Sequence, residues 1–492
     1  MKKIINGIDS KYILIAIFLF TIYLFWGIGI WADEVYWIRE SPTWYPKELI
    51  GTPIGHYLYM LPIELTSFNT VWIIDILHIL YINISIYLIY KYLSLYHSRN
   101  LSLLLSFFIV VSFIYDGSSF WFLGTYIILS TAFLMYSFYL IKYNKIKEGI
   151  LFSFLGSFSS YSSPIITAGL SLVFLWKRDI KRFLIFVTPN FLYIVYYLFV
   201  TKYLHIGVSR VHVENINVLK QLILQVATFF DSITFGLFFK VFYLLRDLPI
   251  TYYIISLVLT FIILKFFKFT YRLNKELLLA FFGIMIFGFI VLALTGGYYQ
   301  TVFTISNRIL FFSMLLIIYL LIAPDYNRYI KMVVIFIFLS SIFATSLHWK
   351  KWSEYSVKES QNIVNEAKKL KIDELFIYDI STSKLGELNH LNLSLGNNNS
   401  YGNLKIKLLN HTYTYKDGYL IRKENNKKTK IDKFIYVYFL DRDKIEKVNK
   451  DDINKLIDNS RHSYRHWSQT LDNNSSVKKF IYKVMPSLKY EK

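Results

Sequence analysis

Long apolar runs separated by short polar loops form the main pattern of the first 347 positions. A helix needs about 20 mostly apolar residues to cross the ~30 Å hydrocarbon core of a bilayer. The runs that approach this length are 12–31, 70–92, 101–115, 121–141, 149–176, 183–204, 250–265, 276–294, 309–323 and 332–347, of which 149–176 is predicted to be a hairpin of two helices. The pattern predicts an all-α polytopic membrane domain with about 11 transmembrane helices over residues 1–347.

The distribution of lysine and arginine predicts how these helices are oriented. Basic residues collect in the cytoplasmic loops of membrane proteins. Lys2, Lys3 and Lys11 precede the first run, and further basic clusters lie at 142–147 and 177–182. We therefore expect a cytoplasmic N-terminus and alternating spans, with the chain after His348 outside.

Residues 221–245 allow two interpretations. The segment is apolar enough to be a span, but counting it as one would place the basic residues at 265–275 outside the membrane. The alternative is an external or interfacial amphipathic helix, which keeps those residues inside. The positive-inside rule favours the interfacial interpretation.

Polar residues dominate from residue 348 onward, and shorter amphipathic patterns replace the apolar runs. Ser356 and Glu359 form a capping box before a helical pattern, 374–380 and 434–440 have the character of buried strands, and 413–421 around Asp417-Gly418 predicts a hairpin. Residues 348–492 are therefore predicted to be a small external α/β domain. Its 28 Lys and Arg against 18 Asp and Glu, a net charge of +10, favour contact with anionic head groups or phosphorylated glycans.

Composition excludes several classes of function. The chain has no cysteine, so disulfides, thiolate metal sites and cysteine nucleophiles are ruled out. The net charge of +21 has a topological explanation, and we expect no nucleic-acid partner. No glycine-rich phosphate loop, zinc-binding spacing or nucleophile elbow is present, so ATP-driven and hydrolase mechanisms have no support.

Two adjacent acids follow the first apolar run and begin the first external loop. Asp33 and Glu34 stand where the chain leaves the membrane, and a carboxylate at such a partly desolvated position can act as a base. The alternative is that both are ordinary loop charges. Tyr36, Trp44 and His56 follow in the same loop; aromatic and polar groups beside an acid suit a sugar, and membrane-interface anchoring is the alternative for the aromatics.

The order of these features resembles the GT-C superfamily of membrane glycosyltransferases, which take a sugar from a polyprenyl-phosphate or dolichyl-phosphate carrier. The resemblance rests on Asp33-Glu34, on the stretch from Thr52 to His56, on Asp116 in an external turn, and on a short hairpin at 156–164. It covers residues 1–347 in order and topology. It implies a GT-C-like helical domain that catalyses an inverting displacement at the anomeric carbon.

The resemblance also implies roles for individual residues. Asp33 is expected to be the general base, with Glu34 and Asp116 as the other candidate catalytic acids. Arg308, at the external start of a span, matches a phosphate-contacting arginine, and its alternative role is a snorkelling interfacial cation. Lys202 and Arg210 are weaker candidates for the same donor phosphate.

Asp75 and His78 lie inside the second run, three residues apart on one helical face. Ionisable residues inside a membrane are functional hypotheses by default. A structural pair between the two side chains is the favoured interpretation, and a position facing the substrate cavity is the alternative.

The leading functional hypothesis is a glycosyltransferase at the outer face of a bacterial inner membrane. The expected partners are a polyprenyl-phosphate-linked sugar donor, an envelope glycan or lipid acceptor, and the bilayer itself. A serotype-converting O-antigen glucosyltransferase is a narrower version of this hypothesis. The alternatives are an O-antigen polymerase or ligase and a transporter or flippase of envelope lipids. No cofactor is indicated, and a requirement for Mg²⁺ or Mn²⁺ stays open.

Overall fold

The structure is a computed structural model that describes residues 10–30, 34, 50–206, 217–246, 248–267, 269–270, 272–295, 300, 302, 305–354, 360–378, 404–409, 413–422, 426–431, 433–439 and 444–463. The chain divides into two compact units. One consists of residues 1–29 and 42–350, and the other of residues 30–41 and 351–492.

The first unit is mostly helical over its described residues. Its principal helices are α1 Ser10–Phe25, α2 Trp72–Leu93, α3 Arg99–Val110, α4 Tyr126–Lys142, α5 Ile146–Ser159, α6 Ser163–Trp176, α7 Ile180–Leu198, α8 Val218–Asp231, α9 Leu237–Arg246, α10 Ile250–Phe266, α11 Lys275–Thr295, α12 Phe311–Ile322 and α13 Arg328–Glu354. Short helical turns lie at Pro53–Gly55, Leu61–Glu64, Phe68–Thr70, Asp116–Ser119, Leu123–Thr125 and Ile305–Leu310, and π-helical stretches at His56–Met60, Phe199–Tyr203 and Ser232–Gly236.

Among the described residues, six continuous helical stretches are long and apolar enough to cross a membrane: Trp72–Leu93, Leu123–Lys142, Ile180–Tyr203, Val218–Arg246, Lys275–Thr295 and Arg328–Lys351. Five shorter apolar helices accompany them: Lys11–Phe25, Arg99–Val110, Ser163–Trp176, Ile250–Phe266 and Asn307–Ile322. The predicted count of about 11 spans is therefore not confirmed. Several helices are shorter than the ~20 residues that a full crossing requires. For example, α1 ends at Phe25, before Gly27 and Gly29, whose φ angles of 81° and 63° do not continue a helix.

Small residues let neighbouring helices approach closely. A Cβ on Gly156 would lie 2.7 Å from the Leu134 side chain, and the Ser130 hydroxyl donates to the Gly156 carbonyl across the same contact between α4 and α5. Gly169 of α6 meets the backbone of Ile284 on α11 in the same way. Such contacts are typical of membrane helices, whose association depends on close packing and interhelical hydrogen bonds.

A cluster of charged side chains joins three helices at one end of the first unit. Glu276 at the start of α11 binds Lys142 at the end of α4 (3.1 Å) and Lys177 just beyond α6 (2.5 Å). The opposite ends of these three helices, at Tyr126, Ser163 and Thr295, therefore lie together at the other end of the bundle. The positive-inside rule predicts that this second end is external.

The second unit is a small α/β domain. A four-stranded sheet has the order β2-β1-β6-β7, with β1 (Glu374–Tyr378) parallel to β2 (Lys405–Leu408) and β6 (Phe434–Phe439), and β7 (Lys444–Asn449) antiparallel to β6. A three-stranded antiparallel sheet consists of β3 Tyr413–Lys416, β4 Tyr419–Arg422 and β5 Lys427–Lys430. Helices α14 (Ser360–Lys369) and α15 (Lys450–Ser463) complete the unit.

Alternation along β1 builds a core on each face of the four-stranded sheet. Leu375 and Ile377 pack against α14, while Phe376 and Tyr378 pack against α15 and the small sheet. The predicted strands at 374–380 and 434–440 are confirmed as β1 and β6. The predicted hairpin is confirmed as β3–β4, whose turn residues Asp417 (φ 53°) and Gly418 (φ 80°) adopt the left-handed conformation that a two-residue hairpin turn requires.

A candidate lipid-phosphate pocket and its supporting network

A cavity of about 300 Å³ lies at the end of the first unit opposite the Glu276 cluster. The ends of α4, α6, α7, α11 and α12 surround it, and most of its wall is apolar. Four tyrosines contribute to that wall: Tyr126, Tyr161, Tyr193 and Tyr197. Tyr161 and Tyr197 meet edge to face, with ring centroids 5.6 Å apart. The cavity is therefore a hydrophobic and aromatic pocket, the lining typical of small-molecule sites.

Two cations line this otherwise apolar pocket, and they are Arg308 and Lys202. The guanidinium of Arg308 lies over the Trp121 ring at 5.4 Å from its centroid. Lys202 belongs to the π-helical stretch Phe199–Tyr203, a type of irregularity that often marks functional positions. No described carboxylate pairs with either side chain. The structure thus brings together two of the three predicted phosphate-binding residues, while Arg210 lies outside the described residues.

The short helix Ile305–Leu310, which carries Arg308, is held by the turn around Asp116. The backbone N–H of Gly117 donates to Oδ1 of Asn307 at 2.9 Å, and the Ser118 hydroxyl donates to the Arg308 carbonyl at 3.1 Å. Nδ2 of Asn307 donates to the Asp116 carboxylate. Arg308 therefore emerges from a backbone segment that is fixed on both sides of its own Cα.

Asp116 is buried at the centre of this network. Its Oδ1 accepts from Lys240 Nζ at 2.6 Å and its Oδ2 accepts from Trp349 Nε1 at 2.7 Å. Lys240 also donates to the carbonyl of Val302 at 2.8 Å. Asp116 does not line the cavity, and at least one donor engages each of its carboxylate oxygens. This geometry suits a positioning role for Asp116, and the catalytic role stays a prediction.

The helix that contains Lys240 has reversed amphipathicity. From Val218 to Arg246 its polar face is buried, with Gln225, Thr228 and Ser232 contacting Gln300 through hydrogen bonds of 3.0–3.2 Å. The opposite face exposes apolar side chains, namely Leu219, Ile223, Val226, Phe230, Phe235, Phe238 and Phe242. The length is sufficient for a span, but the polar contacts run to Gln300, Val302 and Asp116 at the pocket end. Because the segment is also one of the six candidate spans, the interfacial interpretation stays a prediction.

The predicted first external loop is described only in part. Asp33, Tyr36 and Trp44 lie outside the described residues. Glu34 is buried and belongs to the second unit. His56 begins the π-helical stretch His56–Met60 and packs edge-on against Tyr57, and its buried Nδ1 has no hydrogen-bond partner among the described residues. The sugar-binding role of these residues stays a prediction.

The stretch from Gly51 to Gly55 contacts the turn between α5 and α6 and the pocket tyrosines. A Cβ on Gly55 would lie 2.5 Å from the Ser159 carbonyl oxygen, and one on Gly51 would lie 2.9 Å from the Tyr161 ring. The hydroxyl of Tyr196 donates to the Ile50 carbonyl at 2.7 Å. Glycine is required at both positions because the neighbouring atoms leave no room for a Cβ. The loop therefore packs directly against the wall of the pocket that Tyr161 and Tyr197 form.

Asp75 and His78 do not pair with each other, so the predicted structural pair is wrong. The Asp75 carboxylate accepts from the backbone N–H groups of Gly27 (3.0 Å) and Gly29 (2.6 Å), which have φ angles of 81° and 63°. His78 Nε2 lies 2.9 Å from the Ser119 carbonyl and donates to it. Asp75 instead fixes the turn after α1, four residues before Asp33.

Several residues of the site were missed by the sequence analysis. Lys240, Asn307 and Trp349 complete the Asp116 network, and the pocket tyrosines form its wall. A lysine within the apolar segment 221–245 was a usable signal, because an ionisable residue there needs a partner. Nothing local marks Asn307 or Trp349, since their partners are distant in the chain.

Within the described part of the chain, no three His, Asp or Glu side chains come together as a metal site would require. Comparison with known proteins found no matching protein-family model, no matching curated protein and no matching solved structure.

Proposed function

We propose that the protein is an integral-membrane glycosyltransferase. It transfers a sugar from a polyprenyl-phosphate donor to an envelope glycan or lipid acceptor. The observation that carries the proposal is the pairing of Arg308 and Lys202 in one apolar, tyrosine-lined pocket. A lipid phosphate combines an apolar chain with a charged head, and this pocket offers a complementary surface to both.

The two cations match the electrostatic demand of the proposed reaction. An uncompensated charge is costly in a water-poor boundary, so a bound phosphate needs positive partners. A guanidinium can hold two phosphate oxygens at once and stays protonated at every physiological pH. Arg308 lies over the Trp121 ring, a cation–π contact, and it pairs with no described carboxylate.

In the proposed reaction, the acceptor hydroxyl attacks the anomeric carbon of the donor sugar. The hydroxyl proton passes to Asp33, a new glycosidic C–O bond forms, and the bond from the anomeric carbon to the phosphate oxygen breaks. The lipid phosphate leaves with the electron pair, and Arg308 and Lys202 stabilise its negative charge. The role of Asp33 rests on its position in the sequence at the start of the first external loop.

The test measures donor binding and transfer with the full chain in lipid nanodiscs. Arg308→Ala and Lys202→Ala are expected to lower kcat/KM for a polyprenyl-phosphate sugar at least about tenfold, through weaker donor binding and weaker stabilisation of the leaving phosphate, for the loss of one charge-assisted contact of about 1.5–3 kcal/mol. Arg308→Lys keeps the charge without the fork and is expected to retain partial activity. The KM for the acceptor should stay constant.

Lys220→Ala is the matched control, because Lys220 is an exposed cation on α8 that does not line the cavity. If both pocket variants bind and transfer as the unmodified chain does, the cavity is not the phosphate site and the proposal loses its main support. A pocket that binds lipid phosphate without any sugar transfer would favour a flippase.

A further inference from the structure

The small sheet of the second unit has two faces of different character. The inward face carries Tyr413, Tyr415 and Leu420, which pack in the core against β1 and β6. Lys407 of β2 donates to Thr429 of β5 at 3.3 Å on this same side. Because side chains alternate along a strand, the neighbouring positions must point away from the four-stranded sheet.

The outward face is basic. Lys416, Tyr419 and Lys430 lie side by side in one row across the three strands. Ile421 and Lys428 lie side by side in the next row. All three lysines are exposed, and 39% of Tyr419 is exposed. Lys416 and Lys428 form no ion pair with any described residue. No acidic residue occurs within β3, β4 or β5, and Asp417 stands in the turn at the edge.

We propose that this outward face binds the anionic head groups of the membrane in which the chain is anchored. Three lysines on a surface about two strand spacings wide provide several simultaneous contacts to phosphates, each worth about 1 kcal/mol, or about fivefold in the docked population near a charged surface. Tyr419 and Ile421 lie between them, and aromatic and apolar side chains among basic ones are typical of surfaces that lie in a membrane interface.

Covalent attachment makes the membrane the favoured partner among polyanions. The second unit follows α13, whose residues Arg328–Lys351 form a candidate span, so the bilayer surface is always within reach of the unit. Binding by a tethered module depends on its effective local concentration, and weak individual contacts are then sufficient. The binding keeps the second unit against the bilayer surface, and it does not depend on the proposed transferase activity.

The test uses the full chain in nanodiscs and the natural absence of cysteine. Thr414→Cys places one fluorescent label on the outward face, since Thr414 pairs with Ile421. Asn365→Cys places a second label on α14, which packs on the other side of the four-stranded sheet. A lipid with a quencher in its head group then reports which face meets the membrane.

We expect quenching of the Thr414 label in discs that contain phosphatidylglycerol, little quenching in purely zwitterionic discs, and little at Asn365 in either. Added salt should abolish the quenching of the Thr414 label, because the Debye length is only about 10 Å at 0.1 M salt and exposed charges are screened beyond it. The triple variant Lys416→Glu, Lys428→Glu and Lys430→Glu should lower the ratio of docked to undocked domain by at least about 100-fold. The charge-matched control is Lys368→Glu, Lys369→Glu and Lys450→Glu, which changes exposed lysines elsewhere on the unit.

Three outcomes would overturn the proposal. The first is quenching at Thr414 that is the same in neutral and anionic discs. The second is an equal loss in the two triple variants, which would indicate a response to net charge alone. The third is full release of the Thr414 face from anionic discs by duplex DNA at a phosphate concentration well below that of the disc lipids, which would identify a soluble polyanion as the partner.

Discussion

Lys240 Nζ lies 2.6 Å from Oδ1 of Asp116, and both side chains are buried although 124 positions separate them. The pair joins the amphipathic helix to the turn that holds the Arg308 segment. Removing one partner of a buried ion pair strongly destabilises the folded state, because the other partner is left as a buried, unpaired charge.

We therefore predict that Lys240→Met and Asp116→Asn each lower the free energy of unfolding by about 3–5 kcal/mol. The double variant should lose clearly less than the sum of the two, since it leaves no isolated charge. Lys220→Met on the same helix is the control and should change stability by less than about 0.5 kcal/mol. Denaturant unfolding in micelles measures all four, and additive losses would contradict a coupled pair.

Asp33 is predicted to be the general base. Asp33→Asn is nearly isosteric, so expression and folding should be unchanged, while sugar transfer should fall by about 10²–10⁴-fold. The measurement is the transfer rate at saturating donor and acceptor. Glu34→Gln and Asp116→Asn, assayed in parallel, test the alternative bases if Asp33→Asn keeps near-normal transfer. Transfer is compared per folded molecule, because Asp116→Asn is itself predicted to be destabilised. Full activity in all three variants would remove the assignment of a carboxylate base.

The orientation of the bundle is also predicted. Reporter fusions at Lys145, between α4 and α5, and after residue 354, beyond α13, should give opposite signals, with Lys145 on the cytoplasmic side. Lys145 stands near the Glu276 cluster end of the bundle. Matching signals at the two sites would place the pocket at the cytoplasmic end or require a different number of crossings.

Gly55 is predicted to be intolerant of a side chain. A methyl group there would meet the Ser159 carbonyl oxygen at 2.5 Å, and backbone cannot move aside as a flexible side chain can. Gly55→Ala should lower the unfolding free energy by about 1–3 kcal/mol, the usual cost of overpacking. Gly288→Ala is the comparison, because its nearest contact is a Phe312 side-chain atom at 3.1 Å. Equal thermal midpoints for the two variants would contradict the close approach.

His97, in the loop between α2 and α3, predicts a pH dependence of stability. Burial lowers its pKa to about 4, and its Nε2 lies 3.0 Å from the Tyr319 hydroxyl. The unfolded chain, with a pKa near 6.5, binds a proton first, so stability is full above pH 6.5 and falls as the pH drops towards 4. Thermal midpoints at pH 7 and 4.5 should differ more for the unmodified chain than for His97→Gln.

Local pattern and chemistry predicted much of the fold. Apolar runs predicted where helices lie, because a buried or lipid-facing helix needs them, and Asp417-Gly418 predicted a hairpin because both residues tolerate positive φ. Helical spacing placed Asp75 and His78 on one face. It carried no information about Gly27 and Gly29, which follow the end of α1 and donate their backbone N–H groups to the Asp75 carboxylate. Spacing along one element does not reveal partners that tertiary packing supplies.

The two cations of the candidate site were predictable from the sequence, but their arrangement was not. Arg308 and Lys202 were each identifiable as cations at the predicted external ends of helices, and their common pocket follows only from the packing of five helices. The network around Asp116 joins residues 116, 240, 307 and 349, each separated from the next by more than 40 positions. Such a network depends on the complete tertiary arrangement.

The Glu276 cluster has a mechanical consequence. Two ion pairs of Glu276 connect helices α4, α6 and α11 at that end. The close contact of Gly169 with Ile284 holds α6 against α11 near the middle of both helices. The free ends of all three helices border the cavity that holds Arg308 and Lys202. Any separation of the three helices is therefore expected at the end that borders the cavity, and it would widen the cavity without breaking the contacts at the Glu276 end.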